Sequence, residues 1–364
     1  MEKCYICGVE LDGNNRAEEH IVLNAIGGVL KSKKLICKQC NSDWGNKADS
    51  QLVKQLNAVA VLMNVKRERG EAPPIKAIRT SNKEEILIYP GGKLGTINPN
   101  IHRVEENGQK KYHISARNKR EVKKIYNQIK NKYPSAKIVD TGEVVENINE
   151  KVFIECDLNT EALESVCKTA IGYYLHTGGE QEHVQSLIDK LKEHNIKKYC
   201  NYCYDDNISI NKNDVGIFHS IAMVGEPKQK LLYAYIEFFN YYHVVVLLND
   251  QYSGKEFRNI YCYNLNRKCE SKASFAATIN RKMIFENLEK ELIDCKRSLV
   301  RELNKTVRII ELRNAYIKVM NEIQSEYKEK HSNEISDNIF LKDFEEKLLK
   351  ELQPYFRESS SISE

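Results

Sequence analysis

The sequence predicts an α+β protein in several parts. A small zinc-stapled module occupies residues 1–56, and a helix and linker follow at 57–82. A central α+β domain spans 83–270, a charged helical region 271–355, and a frayed tail 356–364. Three observations carry this division. Two C-x-x-C pairs bracket a segment too poor in apolar residues to build its own core. Strand-like runs then alternate with amphipathic helical ones. From about residue 271, apolar residues recur at helical spacing in a highly charged background.

A chain of 364 residues is long enough for two or three domains with real cores. Its 41% hydrophobic and 29% charged residues are ordinary for a globular protein. No apolar run approaches the roughly 20 residues that span a bilayer. "MEKCYICG" lacks the apolar segment of a secretory signal, so a cytoplasmic location is expected. Eleven cysteines in a reducing compartment point to metal ligands or buried thiols, not to a disulfide framework. A net charge of +5 is compatible with a nucleic-acid partner without requiring one.

The first element is the pair of knuckles, Cys4-x-x-Cys7 and Cys37-x-x-Cys40. Four thiolates at this spacing suit a closed tetrahedral zinc site, which has no open position and is therefore structural. After Asn41, the spacing of Trp44, Ala48, Leu52 and Val53 predicts a helix that can run on through "LNAVAVLMNV". "RERGEAPPIK" reads as a linker, because Gly70 and the Pro73–Pro74 pair end any helix.

In the central part, "EILIYP", "NIHRVE", "KYHISAR" and "AKIVDTGE" read as strands, with "ENGQKK" as a hairpin turn. "NKREVKKIYNQIKNKYP" is an amphipathic helix with Val122, Ile125, Tyr126 and Ile129 on one face. "NTEALESVCKTAIGYYLHTGG" is a buried helix between an Asn/Thr start and a Gly pair, and "EQEHVQSLIDKLKEHN" is a second helix beside it. "GIFHSIAMVG", "KLLYAYIEFFNYYHVVVLLN" and "RNIYCYNL" are aromatic and β-branched strands forming the domain core. Ile284, Leu288, Leu292, Leu299, Leu303 and Ile310 keep a helical period. That stripe must be covered by the central domain or by a second copy, and a homodimer is favoured.

Between the knuckles lies "EEHIVLNAIGG", followed by "LICKQCNSDWG". With both C-x-x-C pairs, the acid–His pair, the Gly pair and the C-x-x-C-N ending in order, residues 4–50 resemble the HNH nuclease family and its ββα-metal motif. The resemblance implies a metal-dependent endonuclease acting on nucleic acid, most readily DNA. His20 matches the general base, and an imidazole titrates near neutrality, which suits that work. Glu19 matches the acidic ligand of a catalytic divalent ion and Asn41 the second ligand. An amide oxygen in place of the commoner His favours Mg²⁺ or Mn²⁺. The implied products carry a 5′ phosphate and a 3′ hydroxyl.

The chain departs from the family pattern at Leu23, where a Pro is usual, and at Ser32, where the middle Asn is common. That Asn buttresses the loop carrying the base, so the orienter is open, and Asn24 is a candidate substitute. The flanking Lys31, Lys33, Lys34 and Lys38 are candidate nucleic-acid contacts, or simply a solvated face. Bland readings stand beside the others. His20 can be a strand histidine bonded to a backbone carbonyl, Glu18 and Glu19 solvated charges, and Asn41 a helix cap.

Cys200 and Cys203 could join Cys262 and Cys269 in a second zinc site, against a default of buried thiols. Phe238, Phe239, Tyr241 and Tyr242 read as core rather than base-stacking residues, and His219 and His243 as core histidines. The alternatives to a nuclease are a non-catalytic zinc-stapled nucleic-acid-binding module, and a sensor or scaffold whose nuclease awaits a regulatory partner or ligand. Family resemblance further suggests phage defence or a mobile element.

Overall fold

Two very short strands and a helix make up the N-terminal segment. β1 (Glu19–His20) pairs antiparallel with β2 (Lys31–Ser32), setting Glu19 opposite Ser32 and His20 opposite Lys31. The connection needs its glycines. Gly27 ends a single 3-10 turn with a left-handed φ of 94°, and a Cβ on Gly28 would lie 2.0 Å from the Val22 carbonyl oxygen. α1 (Lys38–Trp44) then starts at Cys37, not at Asn41 as the sequence suggested. Cys37 has extended backbone angles and its sulfur accepts the Cys40 amide at 3.4 Å. Asn41 therefore lies inside the helix and is not its cap. α1 continues through a π turn at Gly45–Asp49 into α2 (Ser50–Leu62), an unbroken helical run.

The computed structural model describes residues 2–106, 109–116, 119–139, 152–154, 159–205, 207–275, 279–330, 342, 344–351 and 353. β3 (Ile75–Arg79), β4 (Glu85–Tyr89) and β5 (Lys93–Thr96) form an antiparallel sheet packed on α2 through Ala58, Val61, Ile75 and Ile88. β3 begins directly after the Pro pair, inside the expected linker, because Ile75 and Ala77 alternate inward. β6 (Asn100–Glu106) and β7 (Gln109–Ser115) are a hairpin with Glu106 opposite Gln109. The turn residues 107 and 108 lie outside the described residues. α3 (Lys119–Lys132) buries Ile125. Of the expected "AKIVDTGE" strand, residues 136–139 carry no regular structure and residues 140–143 lie outside the described residues. β8 (Val152–Phe153) pairs with β3.

α4 (Glu161–His176) is buried from Ala162 through Tyr174, and α5 (Gln181–Lys192) packs beside it. They cover one face of a six-stranded antiparallel sheet. Its strands are β9 (Cys200–Tyr202), β11 (Phe218–Glu226), β12 (Leu231–Phe238), β13 (Tyr242–Asn249), β14 (Phe257–Asn264) and β15 (Cys269–Glu270), in the order β15-β14-β11-β12-β13-β9. β10 (Ile210–Lys212) pairs with β16 (Ala273–Phe275), so a strand stands where the helical region was expected to begin. α6 (Arg281–Glu289) covers the other face through Ile284 and Leu288. With both faces covered, the strands read as continuous apolar runs, and Phe238, Phe239, Tyr241, Tyr242 and His219 are all core residues.

α7 (Leu292–Lys330) follows a break at Lys290. Leu299 and Ile310 sink into the main core, so much of the apolar stripe is covered within one chain and does not call for a second copy. Strand order also removes the second zinc site. Cys200 on β9 and Cys262 on β14 are four strand steps apart, about 19 Å at normal strand spacing. The thiols of Cys200, Cys203 and Cys262 are buried, while that of Cys269 is exposed.

One core joins the N-terminal segment to α4 and the six-stranded sheet. Tyr5, Ile21, Ile26, Ile36, Trp44 and Leu52 share it with Ala162, Val166 and Ile171 of α4 and with the sheet. The N-terminal segment, expected to depend on a staple for want of a core of its own, shares the core of α4 and the sheet. Among the described residues, no helix is long and apolar enough to cross a membrane.

Candidate active site

The knuckles converge. The sulfurs of Cys4, Cys7, Cys37 and Cys40 all lie within 4.8 Å of one another, and those of Cys7 and Cys37 are 3.8 Å apart. With Zn–S bonds of about 2.3 Å, tetrahedral geometry puts neighbouring sulfurs about 3.8 Å apart. Burial pushes the free thiols of Cys4 and Cys40 up, so these sulfurs become thiolates readily only with a cation among them. The four cysteines fit a structural zinc. It is the one such cluster among the described residues.

Beside the knuckles is a cavity of about 330 Å³ lined by Glu19, His20, Asn24, Asn41, Asp49 and Lys168, among others. The strand β1, the helix α1 and the π turn thus bring together the three residues singled out in the sequence, Glu19, His20 and Asn41. The His20 side chain is 19% exposed. Its Nε2 is buried with no hydrogen-bond partner, and the nearest carboxylate oxygen, Glu68 Oε1, is 3.4 Å away. Glu68 is itself held in place: its amide donates to Asn24 Oδ1 at 2.8 Å and its carboxylate meets Lys31 Nζ at 2.5 Å. Asn24 therefore anchors the segment that reaches His20. Ser32 instead accepts the Lys34 amide at 3.3 Å.

Glu19 is not a solvated strand-edge charge. It is buried, and its Oε1 lies 2.6 Å from Lys168 Nζ. The same ammonium lies 2.6 Å from Asp49 Oδ2, while Asp49 Oδ1 accepts the Ser165 hydroxyl at 2.6 Å. Burial disfavours the Lys168 charge, but Glu19 and Asp49 outweigh it and raise its pKa above the ordinary lysine value. Burial pushes Glu19 up, against the pull of Lys168. One ammonium between two carboxylates leaves a net negative charge when all three are ionised, a setting that favours a further cation.

Sequence reasoning missed Asp49, Ser165, Lys168 and Glu68. The available signal was a lysine centred in "ESVCKTAIG", a helix otherwise read as buried. The flanking lysines are all engaged. Lys31 and Lys33 pair with Glu18, Lys34 with Glu2, and Lys38 donates to the Asn14 carbonyl.

Residues 4–57 match the family model described as HNH endonuclease. The match covers the knuckles, β1, β2, α1 and most of the helix after the π turn, and ends before the central sheets. No curated protein and no solved structure matches the chain. The N-terminal segment thus matches an HNH domain, and the match points to a nuclease or nucleic-acid-binding role.

Proposed function

From an HNH domain at residues 4–57, we propose that the protein is a metal-dependent endonuclease that hydrolyses nucleic-acid phosphodiester bonds, DNA foremost. The observation that carries this reading is the single cavity lined by Glu19, His20 and Asn41. Those residue types fit a divalent ion. Glu19 Oε2 makes no hydrogen bond among the described residues, Asn41 lines the same space, and the triad is net negative when its three groups are ionised. Bound there, Mg²⁺ or Mn²⁺ supplies electrophilic polarisation of the phosphate and stabilises the leaving oxygen.

The protein's own groups do the rest. His20 takes a proton from the attacking water as its oxygen bonds to phosphorus. The P–O3′ bond breaks with its electron pair on the 3′ oxygen, which is then protonated. A 5′ phosphate and a 3′ hydroxyl result. Lys33 and Lys34 are 66% and 74% exposed, and their pairings are weak, solvent-screened surface ion pairs, so a nucleic-acid backbone competes for them easily.

Nicking of supercoiled plasmid with Mg²⁺, Mn²⁺ or chelator tests the reading, with an RNA substrate in parallel. His20→Ala should cut about 10²–10⁴-fold more slowly at every metal concentration. Asn41→Ala should recover partly as Mn²⁺ is raised. Both should retain zinc, since neither residue belongs to the cysteine cluster. A His20→Ala variant that cuts at the wild-type rate removes the assignment.

A further inference from the structure

We propose that Lys168, supplied by α4 from outside the HNH domain, is a further catalytic residue that donates a hydrogen bond to a non-bridging oxygen of the scissile phosphate. This rests on the nuclease reading above. A lysine ammonium has three N–H donors. Two are directed to Glu19 Oε1 and Asp49 Oδ2, each at 2.6 Å. The remaining one has no partner among the described residues, and Lys168 lines the same cavity as His20 and Asn41.

Stability does not account for this arrangement. Lys168 is 3% exposed, and a buried ion pair generally gains little over well-packed apolar residues. What the pairing does provide is a cation fixed in place. α4 is buried on all sides, so the side chain has no room to swing. Asp49 spends both oxygens on holding it and Ser165, which makes Asp49 a positioning residue. Glu19 spends one oxygen on Lys168 and keeps Oε2, so the ammonium and a divalent ion do not compete for the same atom. A fixed donor gains most where charge develops on the phosphoryl oxygens during attack.

The test uses the full chain: Lys168→Met, Lys168→Arg, and Asp49→Asn combined with Lys168→Met, which removes one charge of each sign. Single-turnover nicking is measured beside Mn²⁺ binding by electron paramagnetic resonance without DNA, zinc content and thermal melting. Loss of one such donor should slow cutting about 10²–10³-fold. Mn²⁺ affinity should be unchanged or tighter in Lys168→Met, and Lys168→Arg should recover part of the rate. The double variant leaves one buried carboxylate of the triad in place of two, so it should melt closer to the wild type than Lys168→Met does, yet remain slow.

A folded methionine variant that cuts at or above the wild-type rate overturns the proposal. So does a loss of Mn²⁺ binding that accounts for the lost rate, because Lys168 would then act through the metal ligands. A rate loss in the methionine variants that only matches their unfolded fraction assigns Lys168 to the fold alone and likewise overturns the proposal. A wild-type chain that cuts neither DNA nor RNA overturns the nuclease reading itself, and this inference with it.

Discussion

His219 joins the sheet to the loop of the candidate site. Its Nε2 donates to the Ile26 carbonyl at 2.8 Å and its Nδ1 accepts the Phe239 amide at 3.3 Å, so the ring is neutral with its proton on Nε2. Burial lowers its pKa to about 4. The unfolded chain takes up a proton near pH 6.5, before the folded chain does. Stability from this residue is therefore complete above about pH 6.5 and lost as pH falls toward 4, by about 3 kcal/mol in all. Melting temperature against pH should fall across that window, and His219→Phe should be less stable at pH 7.5 but show a shallower fall. Parallel slopes for the two proteins would remove His219 as the cause. Single residues divide sharply in how far the sequence reveals them. The cysteines were legible from their paired spacing, and Glu19, His20 and Asn41 were singled out as neighbours of one cavity only through the resemblance of their short stretch to a family motif. Asp49, Lys168 and Glu68 were not, since only the folded chain brings them to the cavity.

At the scale of elements, Cys37 serves α1 twice, as cap and as a member of the zinc cluster. Serine caps a helix well but binds zinc poorly, so Cys37→Ser isolates the metal's share. A cap is worth about 0.5–2 kcal/mol, while structural zinc sites contribute about 10–16 kcal/mol in apparent terms. The variant should lose its zinc by elemental analysis, and the emission of Trp44, the one tryptophan, should shift to the red as α1 loosens. A wild-type protein that folds without zinc contradicts this account. The buried helices α4 and α5 and the aromatic strands were readable because period and length agree there. β3 was hidden by its prolines, the cap of α1 by a thiol standing in for a conventional capping residue, and the start of the helical region by the short strand β16.

For the whole molecule, the decisive feature is the core shared by the HNH domain and α4. The sequence suggested separable parts because linkers and composition show in one dimension, whereas packing between distant segments leaves no periodic trace. A fragment of residues 1–62 should still take up zinc through its cysteines. It lacks α4, so Trp44 should stay solvent-exposed in its emission and plasmid nicking should be far below that of the full chain. Equal nicking by fragment and full chain would mark the domain as autonomous. The buried Glu19–Lys168–Asp49 triad crosses the junction between these parts, and that bears on descent. A recombination event that transplanted residues 4–57 alone onto a new scaffold would carry two buried carboxylates and leave their ammonium behind. The recipient would need a lysine at the matching place, or a neutral residue at position 49, before the graft could settle. Inheritance should therefore treat the two parts as a linked pair, each constraining what the other can become.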